Sequence, residues 1–436
     1  MTYAESIQFL CGLRRFGAKL GLENALRLAA LAGDPQRQLQ FIHVAGTNGK
    51  GSTCAILESI YRAADWRVGL FTSPHLRSFR ERIQCNRQPI SAEDVARLVS
   101  GLSVHLEVFP APQHPTFFEV VTVLALQYFA EQQCDLVIWE TGLGGRLDAT
   151  NIVTPIASVI TSLNLDHQEW LGNTLDQIAA EKAGIIKPFI PVVTVARPGG
   201  GLEVVQATAD RQRAPLTVVN NPERVLSAVG GAVSLAGPYQ RENAAVALAT
   251  VGVLEDRWPV NHRAREEGLR QVRWPGRFQV VNQPGGQTIV LDGAHNPAGA
   301  LALSEAWQDK FPGIQPALVL GFLSDKDWAA MARVLLPLGR RALLVPVSSA
   351  RGLSPQQLAL ESHRIRPGLE VEIYPSLRAA LQNTARDPFV LIAGSLYLIG
   401  EAMGHLGLAA AAGADADELG LNEWSGLRAE RAAAAG

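Results

Sequence analysis

The segment Phe41-Ile42-His43-Val44-Ala45-Gly46-Thr47-Asn48-Gly49-Lys50-Gly51-Ser52-Thr53 joins an apolar run to a glycine-rich turn and then to a helical pattern. Glycines at 46, 49 and 51 take Cβ atoms out of the way, so backbone N–H groups can turn inward toward an anion. A helix from about Ser52 to Ala63 would aim its positive end at the same point. Lys50 can reach a terminal phosphate, and the hydroxyl of Ser52 or Thr53 can ligate Mg²⁺. The chemistry that follows is a cradle for the phosphates of ATP. The common P-loop reads G-x-x-x-x-G-K-[ST], whereas here Gly51 separates Lys50 from Ser52.

Other reactive groups fall where apolar runs end. Glu140 closes Leu136-Val137-Ile138-Trp139 and leads into Thr141-Gly142-Leu143-Gly144-Gly145-Arg146-Leu147-Asp148. A carboxylate at the carboxyl end of a parallel strand sits where open α/β sheets bind ligands, and it could hold Mg²⁺ directly or through water. The glycines mimic a dinucleotide loop, but Leu147 stands where G-x-G-x-x-G needs glycine, which argues against a nicotinamide cofactor. Asp166-His167 follows Ile156–Leu165 in the same way, and His167 is a candidate metal ligand. Asp292-Gly293-Ala294-His295-Asn296-Pro297 follows Thr288–Leu291, Gly394-Ser395-Leu396-Tyr397 follows Phe389–Ala393, and Arg277 precedes another short strand. Polar tips of this kind suggest one ligand-facing edge. Lys182 lies near the end of an amphipathic helix, where a lysine is ordinarily a solvated cap partner.

Strands alternating with helices must position these groups. Strand-like runs at Phe41–Ala45, Val68–Phe71, Asp135–Glu140, Ile156–Thr161 and Pro191–Val195 are separated by helical patterns such as Ser91–Phe109 and Phe117–Gln133. This predicts an α/β fold with a mostly parallel sheet. Arg224–Leu235 reads as irregular or short-strand material and Gln240–Leu254 as a helix. A second alternation starts after Trp274-Pro275-Gly276, with strands at Thr288–Leu291, Ala317–Phe322, Arg341–Val347, Glu370–Ile373 and Phe389–Ala393. The expected domains are residues 1–273 and 274–408, with 409–436 an alanine-rich, acidic, flexible tail without chemistry.

Composition narrows the class. Lys+Arg 39 against Asp+Glu 41 gives a net charge of −2, which offers no nucleic-acid or membrane surface. The beginning Met1-Thr2-Tyr3-Ala4-Glu5-Ser6 is not signal-like, and no apolar run approaches the ~20 residues of a membrane span. Cys11, Cys54, Cys85 and Cys134 lie far apart without metal-ligand spacing, so reduced thiols and a cytoplasmic location are expected.

Taken in order, HVAGTNGKGS (43–52), TSPHL (72–76), ERI (81–83), TFFE (116–119), ETGLGGRLDATN (140–151), DH (166–167), EKAGIIK (181–187), PGRF (275–278) and DGAHNP (292–297) resemble the dihydrofolate synthase/folylpolyglutamate synthase family of the Mur-ligase superfamily. With weaker N-terminal and C-terminal matches they span roughly residues 12 to 400, and the displaced Gly51 is what this family's loop carries. The resemblance implies an N-terminal P-loop ATPase domain, a smaller C-terminal Rossmann-like domain, and an active site between them. ATP would phosphorylate a carboxylate, and L-glutamate's amine would attack the acyl phosphate. Dihydropteroate, reduced folates or both would accept the glutamate, in an enzyme expected to be monomeric.

Residue roles come with the resemblance. Gly49, Lys50, Gly51 and Ser52 would hold the triphosphate, Ser52 and Glu140 a first Mg²⁺, and His167 a second. Lys182 matches the lysine that this family carbamylates, an anion able to steady the second ion. Asn243, Arg277 and Asp292 would contact nucleotide, and His295, Ser395 and Tyr397 would line the glutamate or nucleotide side, with Ser73 facing the same region. The pterin would meet Phe16–Leu22, Thr116, Phe117, Phe118 and Glu119, and Gly145, Arg146, Leu147 and Asp148. Many members read H-Q-x-x-N where this chain has Tyr239-Gln240-Arg241-Glu242-Asn243, which leaves Tyr239 without a role. A cell-wall Mur ligase would carry an extra N-terminal UDP-binding domain of roughly a hundred residues, which a loop near residue 46 does not accommodate. The readings that compete are a folylpolyglutamate synthase alone and a non-catalytic P-loop switch, which would have no use for Arg277, Asp292 or His295.

Overall fold

The computed structural model describes residues 1–17, 19, 21–195, 200–408 and 416–423. The chain divides into two compact units. One comprises Met1–Asn220, Ala249–Arg265 and the described residues of the C-terminal tail; the other comprises Asn221–Leu248 and the described residues from Glu266 to 408.

The first unit is built on an eight-stranded sheet. Its strands are β1 (Phe41–Ala45), β2 (Val68–Phe71), β3 (Ile83–Cys85), β4 (Gln88–Pro89), β5 (Leu136–Glu140), β6 (Ala157–Ile160), β7 (Val192–Thr194) and β8 (Leu216–Val218). They lie in the order β4-β3-β2-β5-β1-β6-β7-β8, parallel except where β3 runs against β2 and β4. Strand β1 sits between β5 and β6 with all five residues buried, as a continuous apolar run demands of a parallel strand covered on both faces. The register pairs Val44 with Glu140 and Ala45 with Ile160, so the turns after β5, β1 and β6 emerge side by side. The core on one side of this sheet is aromatic, with Phe71 and Trp139 ring centroids 4.4 Å apart.

The second unit has a six-stranded sheet made from β9 (Gln279–Asn282), β10 (Thr288–Asp292), β11 (Ala317–Leu320), β12 (Arg341–Leu344), β13 (Glu370–Ile373) and β14 (Phe389–Ala393). The order is β13-β12-β11-β14-β10-β9, with only β9 antiparallel. Asp292 pairs with Ala393, so the turns after β10 and β14 are neighbours.

The mixed α/β architecture with a large, mostly parallel first sheet agrees with the sequence reading. The single boundary at 273/274 does not survive. Residues 221–248 belong with the second unit because Tyr239 donates to Asp292 Oδ2 (3.2 Å) and Ser234 donates to the Val272 carbonyl. Arg224–Leu235, read as irregular or strand-like, begins inside the helix Pro222–Ser227, which is started by the Asn221 side chain accepting from Arg224 N–H. The tail is not uniformly free of contacts either: Ala416–Gly420 is helical and Leu421 is buried in the first unit's core. Residues 409–415 and 424–436 lie outside the described residues.

Phe189 occupies the left-handed region at φ 63° and is 66% exposed. That conformation costs a Cβ-bearing residue ~1–2 kcal/mol, with little burial in return. Replacing it with glycine should raise the thermal midpoint by about 2 °C, after allowing for the greater freedom of the unfolded chain. A lower midpoint for Phe189→Gly would contradict this account.

Candidate active site

The phosphate loop leaves β1 through Gly46, whose φ of 149° and close neighbour both demand glycine, because a Cβ would overlap the Thr161 hydroxyl. That hydroxyl donates to the Asn48 carbonyl at 2.7 Å, and Thr47 N–H donates to the Ser162 carbonyl at 2.8 Å, so the turn after β6 braces the loop. Gly49 is left-handed at φ 88° and precedes the helix Lys50–Ala63. The helix therefore starts at Lys50, and Gly51 lies inside its first turn rather than in the turn before it. The first N–H groups of that helix have no intrahelical acceptor, which suits an anion. Ser52 is buried in the same turn, and Lys50 Nζ donates to the carbonyls of Gly46 (3.1 Å) and Thr47 (3.2 Å).

Lys182 reaches the same carbonyl from a different helix. It lies in the last turn of the helix Leu175–Ala183, is 4% exposed, and donates from Nζ to Gly46 O at 2.8 Å. Burial, and after it the Lys50 charge, bring its pKa down to about 7 against the opposing pull of Asp166 and Asp148. The solvated cap partner that spacing alone suggested is instead a buried amine at the phosphate loop. Asp166, singled out only as His167's neighbour, contributes a carboxylate to this group.

The loop after β5 is fastened to that helix. Gly145 lies so close that a Cβ would come within 2.8 Å of the Glu181 carbonyl and 2.9 Å of Lys182's. Arg146 N–H donates to Glu181 O (2.7 Å) while its guanidinium pairs with the Glu181 carboxylate at 2.8 Å. Asp148 is engaged inside the loop: one oxygen accepts from Leu143 N–H (2.7 Å), the other from Thr150 N–H and Oγ1. It organises the loop, and its burial raises its pKa. Thr150 Oγ1 in turn meets the buried His43 Nε2 at 2.9 Å. Leu147 O accepts from Gly21 N–H at 3.5 Å, which joins this loop to the N-terminal stretch.

Glu140, 3% exposed at the end of β5, accepts from Ser73 N–H at 2.9 Å. Among the described residues no three His, Cys, Asp or Glu side chains converge on one point. Mg²⁺ commonly keeps several waters and takes one or two protein oxygens together with substrate phosphates. A carboxylate at Glu140 and a hydroxyl at Ser52 fit that pattern. His167 fits less well: it offers nitrogen, its side chain is 37% exposed, and it sits at φ 50° ahead of the short helix Gln168–Leu171.

Thr116 and Glu119 serve first as a helix cap. Thr116 N–H donates to Glu119 Oε2 (2.7 Å), and Glu119 N–H donates to Thr116 Oγ1 (3.3 Å), starting the helix Phe117–Glu131. Phe117 lies under the Arg82 guanidinium, and Phe118 packs toward Phe71. A cavity of about 500 Å³, lined by Lys19, Gly21, Glu23, Arg27, Gln113 and Glu119, connects the N-terminal stretch with this helix start. Phe16 stacks on His114 beside it, at 4.1 Å between centroids. Ala18 and Leu20 lie outside the described residues.

In the second unit Asp292 is buried at the end of β10 and accepts from Phe278 N–H (2.8 Å), Ala294 N–H (2.8 Å) and Tyr239 Oη–H. Burial raises its pKa and the Arg277 charge opposes that rise. Arg277 lies over Gly293, where a Cβ would come within 2.5 Å of Nη1. His295 Nδ1 is 2.8 Å from Gly293 O. The structure thus brings Arg277, Asp292 and His295 together and adds Tyr239, which sequence reading left without a role. Asn243 Nδ2 donates to Gln240 Oε1 at 3.0 Å, one turn along the helix Pro238–Val253. Ser395 caps the helix Leu396–His405 by accepting from Tyr397 N–H. The Tyr397 hydroxyl accepts from Arg351 at 3.0 Å.

Comparison with known proteins bears on the fold and the family. Residues 44–195 match the Mur ligase middle domain, and 276–396 match the Mur ligase glutamate ligase domain. The dihydrofolate synthase/folylpolyglutamate synthase of Bacillus subtilis (strain 168) is 35% identical over 423 residues, 92% of this chain and 98% of the relative. Mycobacterium tuberculosis folylpolyglutamate synthase complexed with ADP superposes with a TM-score of 0.82 at 30% identity, covering 93% of this chain and 99% of that one. The E. coli FolC structure in complex with DHPP and ADP gives a TM-score of 0.78 at 28% identity over 93% of this chain and 98% of that one. Both catalytic-fold halves, nearly the full length and the phosphate-loop geometry point the same way: the chain belongs to the Mur ligase family, among the dihydrofolate synthase/folylpolyglutamate synthase enzymes.

Proposed function

We propose that the chain is an ATP-dependent ligase that joins L-glutamate in amide linkage to dihydropteroate and to reduced folates. The observation that carries the reading is the buried Lys182 amine 2.8 Å from the phosphate loop's Gly46 carbonyl. A switch that merely holds nucleotide needs no second buried lysine behind its loop. A carboxylate is a poor electrophile because it lacks a leaving group. Its oxygen attacks the γ-phosphorus and ADP departs; the glutamate amine nitrogen then attacks the acyl carbon, and the departing phosphate takes up the proton that the nitrogen loses. The protein's part is positioning and charge neutralisation.

Lys50 and the first N–H groups of its helix hold phosphate oxygens, and the glycines let them approach. Ser52 and Glu140 would hold a first Mg²⁺, and a carbamylated Lys182 with the less well fitting His167 a second; when bound, such ions neutralise charge on the transferring phosphate. Lys182 suits carbamylation because only a neutral amine attacks CO₂: the nitrogen lone pair bonds to carbon and one proton leaves to water. Arg277, Asp292 and Asn243 are proposed to contact nucleotide, with His295, Ser395 and Tyr397 toward glutamate or nucleotide. The 500 Å³ cavity between Lys19 and Glu119 is the proposed entrance for the pterin. No helix among the described residues is long and apolar enough to cross a membrane. A monomeric, cytoplasmic enzyme is the proposed setting.

The direct test supplies ATP, Mg²⁺ and labelled glutamate with dihydropteroate or tetrahydrofolate. Label in both products with ADP release is expected; label in one alone restricts the enzyme to that substrate, and label in neither contradicts the proposal. Lys182→Ala should lower turnover ~10²–10³-fold, the scale of one positioned charge-stabilising group, while ATP affinity persists.

The pH dependence has a definite sign. With a pKa of about 7, Lys182 loses its neutral fraction as pH falls through that value. At fixed dissolved CO₂, turnover should therefore drop from about pH 8 to about pH 6, and a flat profile would contradict carbamate dependence. Tyr239→Phe removes a hydrogen-bond donor from Asp292 Oδ2. It should raise the KM for ATP by about 3- to 10-fold with kcat little changed; an unaltered KM would take Tyr239 out of the nucleotide site.

A further inference from the structure

The C-terminal segment 416–423 engages the turn that delivers Ser73 to Glu140, and both belong to the first compact unit. The turn runs from Thr72 through Arg82. Its middle is ordered from within by the Glu81 carboxylate, which accepts from the N–H groups of Leu76, Arg77 and Ser78. Four further hydrogen bonds join the turn to the tail. Phe79 N–H donates to Glu418 Oε2 (2.6 Å), and His75 Nε2 lies 2.8 Å from the Glu418 carbonyl. Arg82 Nη2 donates to Asn422 Oδ1 (2.6 Å), and Asn422 Nδ2 donates to the His75 carbonyl (2.8 Å).

The histidine's tautomer follows from its partners. Arg82 Nε–H donates to His75 Nδ1 at 2.8 Å, so Nδ1 is the acceptor and Nε2–H donates to the tail. His75, Arg82 and Glu418 are each at most 3% exposed. Stripping Glu418 and Asn422 of their side chains would leave buried donors on Phe79 and Arg82 without those acceptors, which is costly in a low-dielectric interior. Leu421 adds apolar burial in the same core. Two parts of the candidate site hang on this turn: Ser73, whose N–H meets Glu140, and Arg82, whose guanidinium lies 5.5 Å from the Phe117 ring centroid.

From this arrangement we infer that the segment 416–423 is a latch that holds the Ser73–Arg82 turn in its ligation-competent shape, with Glu418 and Asn422 as positioning residues. The readout through turnover rests on the ligase reading above; the readout through the turn's own backbone does not.

The test uses the full-length chain with Glu418→Ala/Asn422→Leu, and Glu418→Gln as the variant that keeps an acceptor for Phe79 N–H. Hydrogen exchange at amides 73–82, measured well below the thermal midpoint, should accelerate by about 10-fold or more in the double variant, the scale of a lost buried hydrogen bond. In the same variant kcat should fall about 10-fold while ATP affinity stays within about twofold, and Glu418→Gln should restore most of both losses. Unchanged exchange at 73–82 would overturn the latch whatever the enzyme's activity. Accelerated exchange with unchanged turnover would overturn its positioning role. A wild-type chain that ligates nothing would sink the ligase reading, while the exchange result would still judge the latch.

Discussion

One carbonyl oxygen, that of Gly46, receives two lysine side chains, and much of the first unit is arranged around it. Lys50 reaches it from the start of its own helix at 3.1 Å and Lys182 from another helix at 2.8 Å. Two ammonium groups so close repel, and burial decides which yields its proton. Lys182 is the deeply buried one, so its pKa is drawn down to about 7. The result is an amine that is neutral part of the time beside a loop built for anions. Glycine at 46 makes the approach possible, since any Cβ there would collide with Thr161.

The sheet order explains how so many distant residues come to serve this point. With β1 between β5 and β6, the turns carrying the phosphate loop, Glu140 and Asp166 leave the same edge together. The second unit repeats the device with β10 beside β14, and there Asp292 is shaped by Tyr239, Phe278 and Ala294. Buried carboxylates are held in two ways: Glu58 and Asp387 by arginine side chains, Asp148 and Asp292 by backbone N–H groups as much as by side chains. Asp148 and Asp292 are examples of carboxylates whose geometry is fixed by their own loops.

Much of this was legible in the residues themselves. Phe41–Ala45, Val68–Phe71, Glu370–Ile373 and Phe389–Ala393 have the bounds that their apolar or alternating patterns suggest. The antiparallel β3 and β4 and the edge strand β8 were not, because two or three residues carry too little period to stand out. Glu140 and Asp292 announced themselves by ending apolar runs. Lys182 did not: a helix C-terminus is an ordinary place for lysine, and its burial depends on the Gly145 and Arg146 backbone packing against that helix. Tyr239 was hidden for another reason. Its partner Asp292 lies 53 positions away and is reached only by tertiary structure. The tail was misjudged from composition, since a few residues, Glu418, Leu421 and Asn422, outweigh the alanines around them.

The phosphate loop and burial together set the protonation of Lys182. An NMR titration of the chain labelled with ¹³C at the lysine ε carbons, assigned by Lys182→Arg, measures this directly in CO₂-free buffer. A Lys182 resonance that titrates near neutrality, about three units below an ordinary lysine, is the predicted result. A midpoint near that of the exposed lysines would contradict the account.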